Sequence, residues 1–249
     1  MGAKYRFVRG SLTLLLLPLA WAVWGLGLAG AVALMPVGIA LSNWAAARGL
    51  GRMSRGLPRS ISLALRGLGL GVVLLALADT VLGYRLWTGG EALRGLNDAL
   101  YVAGALTVAA AGAALPWAVE GLGLHPKGHA LRQTLIAFGS GVLLTLGVAA
   151  LQTPLAPILY VFLAISIGLA VLFLLEAQAM HNIRLSQGIR AIVWALALVA
   201  VGRIVGSFGG AEPSQLTLAL YGLFWLAAMS LLAWVGHLQR FQARRATSG

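Results

Sequence analysis

Six stretches of this chain, roughly 62 to 86, 96 to 118, 131 to 151, 155 to 177, 189 to 208 and 215 to 237, are long, apolar and almost free of charge. A helix rises 1.5 Å per residue, so about 20 such residues cross the roughly 30 Å of hydrocarbon in a bilayer. Only 10% of the residues are charged and 60% are hydrophobic, against about 25% charged in a soluble domain. Leu, Ala and Gly dominate, and the alternating ten-residue segments of an outer-membrane barrel are absent. These features predict an all-α integral membrane protein, formed by residues 1–249 as a single membrane domain.

The formal charge of +12 would suggest nucleic acid in a soluble protein. Here the basic residues sit between the apolar runs, as in a chain that sets its orientation in a membrane, so no nucleic-acid partner is expected. The absence of cysteine excludes disulfides, iron–sulfur clusters and thiolate zinc sites. Lys4, Arg6 and Arg9 precede Leu12 to Leu17 like the start of a signal peptide, but the apolar run continues to Ala46 without a processing point. An uncleaved first span is expected.

Ser11 to Ala46 is too long for one crossing and fits two short helices, with a turn at Gly25, Gly27 and Gly30. Charge supports the hairpin. It places Lys4, Arg6 and Arg9, the Arg48, Arg52, Arg55 and Arg59 loop, Lys127 and Arg132, Arg184 and Arg190, and the Arg240, Arg244 and Arg245 tail on one face. Only Arg85, Arg94 and Arg203 lie toward the other. The positive-inside rule then predicts eight spans in a bacterial inner (plasma) membrane with both termini cytoplasmic; seven spans is the alternative.

The chain also contains an internal repeat. Shifting it by 124 residues lays Leu198 to Phe208 over Leu74 to Tyr84, matching Arg190 with Arg66 and Arg203 with Asp79. The same shift carries the Ser11 to Ala46 hairpin onto about 135 to 170. Two parallel four-helix repeats follow, about 11–118 and about 131–237. An even number of crossings per unit relates them by a pseudo-two-fold axis along the membrane normal.

A charge within an apolar span marks a functional position. Asp79 and Arg203, opposite in sign at matched places, are expected to meet as a buried hydrogen-bonded ion pair. The alternative is that Arg203 snorkels to the headgroups while Asp79 bonds a neighbouring helix. The loop after Asp79 carries Tyr84, Arg85, Trp87, Glu91 and Arg94, followed by Asn97, Asp98 and Tyr101. Asp79, Arg203, Tyr84, Trp87, Asp98 and Tyr101 are the candidate ligand-binding residues on the outer side. Asp98 is read first as a helix cap.

Leu77 to Gly90, followed by Leu96 to Gly104, resembles a segment of the multi-spanning membrane sensory regions that precede bacterial diguanylate cyclase (GGDEF) and histidine kinase domains. The match lies on Asp79, Tyr84, Gly89, Gly90, Asp98 and Tyr101. It implies a sensing or scaffolding module. About a dozen residues follow the last span, so no output domain is expected here.

Other chemistry finds less support. Pro126 and Gly128 separate His125 from His129, and no carboxylate lies at ligand spacing along the chain. Neither a metal nor a cofactor is expected. Glu176, with Gln178, His181 and Asn182, reads as a solvated interfacial helix end. Lys4 and Lys127 are the only lysines and neither lies in a span, which excludes a retinal Schiff base. No catalytic set is recognised. The expected function is a non-catalytic polytopic membrane protein that binds a small or lipid-like ligand from the outer side, with the bilayer and a cytoplasmic or membrane signalling protein as partners. A lipid-acting membrane enzyme or small transporter using the Asp79 and Arg203 region is the alternative; the oligomeric state is open. Reporter domains fused to the two termini in separate strains are predicted to give the same cytoplasmic signal, and opposite signals would remove the eight-span reading.

Overall fold

The computed structural model describes residues 32–55, 57–88, 92–151, 157–179, 183–207 and 214–247, together with Gly27 and Gly30. They form seven α-helices and no strand: α1 (32–53), α2 (Arg59–Thr88), α3 (Arg94–Gly121), α4 (His129–Leu151), α5 (Pro157–Ala179), α6 (Ile183–Ser207) and α7 (Gln215–Thr247). In hydrocarbon no water satisfies backbone N–H and C=O groups, so a spanning chain folds into helices that satisfy their own. Helices α2 to α7 are each long and apolar enough to cross a membrane. They correspond to the six apolar stretches of the sequence.

Packing runs inside out relative to a soluble protein. Leu41, Leu63, Leu106, Leu135, Leu143 and Trp194 are all exposed, whereas a water-soluble surface keeps contiguous apolar patches small. A lipid-facing exterior explains this. The first arm of the expected hairpin, and with it the choice between eight spans and seven, lies outside the described residues. Gly27 has φ 70°, a left-handed backbone that suits the turn expected there.

The basic loops are shorter than the sequence suggests. Arg48 and Arg52 lie on α1, Arg59 opens α2, Arg132 lies on α4, and Arg184 and Arg190 lie on α6. Arginine is a good helix former whose long stem reaches water from a helix end, so the helices run on through the charged flanks.

Six helices enclose a common axis. Asn43 reaches Asp79 from α1 to α2, and Gly49 of α1 lies against the backbone of Leu232 on α7. Gly71 of α2 faces Gly104 and Val108 of α3, and Gly112 of α3 faces Leu169 and Phe173 of α5. Helices α5 and α6 pack together, and Gly202 of α6 meets Phe224 of α7. The ring therefore runs α1, α2, α3, α5, α6, α7 and back to α1. Helix α4 stands outside it, seated on α5 where Gly141 meets Ala164 and Gly168. The apolar core, with Leu50, Met53, Ile61, Leu65, Leu115, Leu169, Leu172 and Phe173, extends along the ring to Met35, Leu75, Val199 and Trp225.

Close approach of α2 and α3 depends on one pair of glycines. A Cβ on Gly71 would lie 2.5 Å from Val108 Cγ2, 2.9 Å from Val108 N and 3.0 Å from Gly104 O. Backbone atoms cannot yield as a flexible side chain does. Gly71→Ala is predicted to destabilise the purified protein by about 1–3 kcal/mol. Gly147→Ala, with nothing within 4 Å of the added carbon, is predicted to be neutral or stabilising by up to about 1 kcal/mol. Thermal unfolding in detergent, followed by tryptophan fluorescence, measures both.

Candidate functional site

Asp79 lies two turns before the end of α2 and is 5% exposed. Its Oδ2 accepts a 2.6 Å hydrogen bond from Asn43 Nδ2 on α1, and its Oδ1 accepts one from the Tyr101 hydroxyl on α3. Asn43 in turn accepts, through Oδ1, a 2.9 Å bond from Trp225 Nε1 on α7. One hydrogen-bonded chain thus ties α7, α1, α2 and α3 together around a carboxylate.

Arg203 completes the ring from α6. Its guanidinium carbon lies 5.1 Å from the centre of the Phe162 ring on α5 and 5.3 Å from that of Trp225, within the distance at which a ring quadrupole attracts a cation. Its charge acts on Asp79. The two do not meet as the hydrogen-bonded ion pair expected from the repeat. Neighbouring Asn43 and Tyr101 hold both Asp79 oxygens, and the buried Arg203 Nε has no hydrogen-bond partner among the described residues. The planar face of a guanidinium suits an aromatic surface, and that is the partner Arg203 takes. Of the alternative reading, the part in which Asp79 bonds a neighbouring helix is what the geometry shows, while Arg203 turns to Phe162 and Trp225.

Below this layer lies a cavity of about 80 Å³ lined by side chains from all six ring helices. Tyr101, Arg203 and Trp225 border it at the polar end, and Leu50, Leu68 and Leu232 at the other. Its lining is otherwise almost wholly apolar. Ser166, the remaining hydroxyl in the wall, is committed to the Phe162 carbonyl of its own helix.

The other sequence candidates fare differently. Tyr84 is 58% exposed and Asp98 is exposed, away from Asp79. Asp98 does not cap α3: that helix is capped at Leu93 without a side-chain bond, and Asp98 stands five residues inside it. Its neighbour Asn97 is the buried residue, donating a 2.7 Å bond to the Ala78 carbonyl on α2. Helical geometry turns adjacent residues to different faces, so only one of the two can point inward. The side chain of Trp87, together with Gly89, Gly90 and Glu91, lies outside the described residues. Asn43 and Phe162 carry no charge and were missed by a search for charges; the signal for Asn43 was an amide inside an apolar run, which needs a buried partner.

A second polar locus lies at the opposite end of the bundle. Glu176, expected at a solvated helix end, is fully buried, with Oε2 3.3 Å from His125 Nε2. His129, the first residue of α4, has its ring centre 4.5 Å from that of His125 and lies 2.7 Å from Gln133 Nε2. The carboxylate absent from the neighbourhood of these histidines along the chain is supplied by α5 from 51 residues away. Glu120 accepts bonds from the Gly128 and Ala130 N–H groups and thereby anchors the loop and the start of α4.

Comparison with family models, with curated proteins and with solved structures returned no match.

Asp79 and Arg203 are predicted to be coupled even though they do not touch. Asp79→Asn leaves a buried cation without its compensating charge, and Arg203→Gln does the reverse. The double variant is expected to lose less stability than the sum of the two singles, by about 0.5–3 kcal/mol in a double-mutant cycle of thermal unfolding. Simple additivity would show that each residue acts alone.

Proposed function

We propose that this chain is a non-catalytic membrane module of the sensory or scaffolding kind, which takes a small amphiphilic anion into its helix ring and couples occupancy to a cytoplasmic or membrane partner. The observation that carries this reading is the buried Nε–H of Arg203, without a hydrogen-bond partner among the described residues, at the head of an apolar cavity. A carboxylate or phosphate would accept from it, a charge-assisted bond worth about 1.5–3 kcal/mol. The cavity is smaller than the roughly 150 Å³ apolar void that binds benzene, so it suits part of a hydrocarbon chain.

Other features agree with this reading. Both Asp79 oxygens are already engaged, which weakens its candidacy as the base of a lipid-acting enzyme. The likeness to sensory regions ahead of GGDEF and histidine kinase domains rests partly on Asp79 and Tyr101, which are bonded to each other. In the proposed parallel repeat Asp79 and Arg203 occupy matched positions 124 residues apart. Under that repeat Asp79 and Arg203 face one axis. Arginines gather at the end holding the α2 and α6 starts, which supports a cytoplasmic position for that end and an outer one for Arg203.

Octanoate and octanol share a chain and differ in charge, which makes them the test pair. In nanodiscs the protein is expected to show saturable tryptophan quenching with octanoate, and Arg203→Gln is expected to weaken that binding about tenfold or more while leaving octanol unchanged. Equal binding of octanoate by both proteins would overturn the proposal.

A further inference from the structure

We infer that His125, His129 and Glu176 form a binding site for a divalent zinc ion at the end of the bundle opposite Arg203. One ligand atom from each of the three lies within 4.8 Å of the others. Two imidazoles and one carboxylate form a donor set that zinc takes in sites that keep a fourth position open. The 3.3 Å between His125 Nε2 and Glu176 Oε2 is close to the edge of a tetrahedron whose centre makes bonds of about 2.0–2.1 Å. An ion can therefore sit between these two atoms with little change in their separation, and a small rotation of His129 closes the third side.

One observation points to a missing ligand, and a second to a neighbour placed to support one of its donors. Glu176 is fully buried, yet its Oε1 has no hydrogen-bond partner among the described residues. Among the described residues its hydrogen-bonding contact is the long one with His125. A divalent ion chelated by both carboxylate oxygens would engage Oε1 as well as the oxygen that faces His125, and would neutralise the group. The second observation is Gln133, also buried, whose Oε1 is unpartnered while its Nε2 faces His129 Nε2. Amide oxygen and nitrogen exchange places on a flip of the side chain. With the amide turned over, Oε1 accepts from His129 Nε2–H, which fixes the tautomer whose Nδ1 is the free donor. This is the support that a metal-bound histidine ordinarily receives from its neighbours.

The surrounding elements hold the donors in place. Glu120 bonds the Gly128 and Ala130 N–H groups, positioning the loop that carries His125 and the first turn of α4 that carries His129. Glu176 comes from α5, the helix on which α4 sits. The ion thus fastens the peripheral helix α4 to the ring, an action separate from ligand capture at Arg203.

The test uses the full chain, with any affinity tag removed, stripped with a chelator in detergent and titrated with zinc chloride by calorimetry. One equivalent is expected to bind and to survive desalting. Gln133→Ala is expected to weaken binding by about 10–100-fold, and His125→Ala and Glu176→Gln by at least as much, while Leu143→Ala on the exposed face of α4 leaves it unchanged. Cobalt in place of zinc is expected to give the intense visible bands of a four-coordinate ion in the unmodified protein, a readout that does not depend on any variant folding. Zinc uptake below one half equivalent by the unmodified protein, or equal uptake by His125→Ala, would overturn the site and leave a plain histidine–glutamate contact.

Discussion

A carboxylate held inside an apolar helix ring must have its lone pairs satisfied by the protein, and that requirement organises one half of this structure. Asp79 draws an amide from α1 and a phenol from α3, and the amide in turn draws the indole of α7. Leaving any of these groups unpaired would cost about 1–3 kcal/mol. Because the linked groups, Asp79 included, come from four different helices, satisfying one side chain fixes the rotation and height of all four. Leucine packing alone would not do so, since lipid tails are as apolar as leucine and give helices little reason to prefer one rotation over another.

Arg203 balances the charge without closing the network. Its guanidinium lies over Phe162 and Trp225, so the aromatic that anchors Asn43 is also one over which the cation sits. Each ring helix places one chemically distinct group in this layer: Asn43, Asp79, Tyr101, Phe162, Arg203 and Trp225. A change at any one is felt by the others through hydrogen bonds or through the field across the cavity, which gives a ligand bound there a route to all six helices. The histidine and glutamate locus lies at the far end, where α3, α4 and α5 come together. The two loci share no residue, so the fold holds one polar centre on the ring axis and another at its rim.

Much of this architecture was legible in the sequence, because apolar length is a local property. All six well-defined stretches became helices, with the largest displacement at the end of α7, where arginines extend it. Asp79, Tyr101 and Arg203 were legible as site residues for the same reason, since polar side chains in apolar runs demand partners. What was not legible was the pairing. The repeat matched Asp79 with Arg203 by position, yet hydrogen-bonding reach favoured Asn43 and Tyr101, which that match does not pair with Asp79. Asp98 read as the cap of the helix, but the direction of α3 turns it outward and turns Asn97 into the bundle.

Glu176 shows the same limit from the other side. Its position near a helix end read as solvated because the sequence does not say what covers that end; the loop from α3 to α4 does, and brings two histidines with it. Composition and the spacing of apolar and basic residues were enough to determine an all-helical, membrane-crossing chain, because hydrocarbon requires each span to satisfy its own backbone within about 20 consecutive residues. Which polar side chains meet was decided only by the tertiary structure. Those meetings depend on helix rotation and neighbour order, properties that arise when helices distant along the chain are packed against one another.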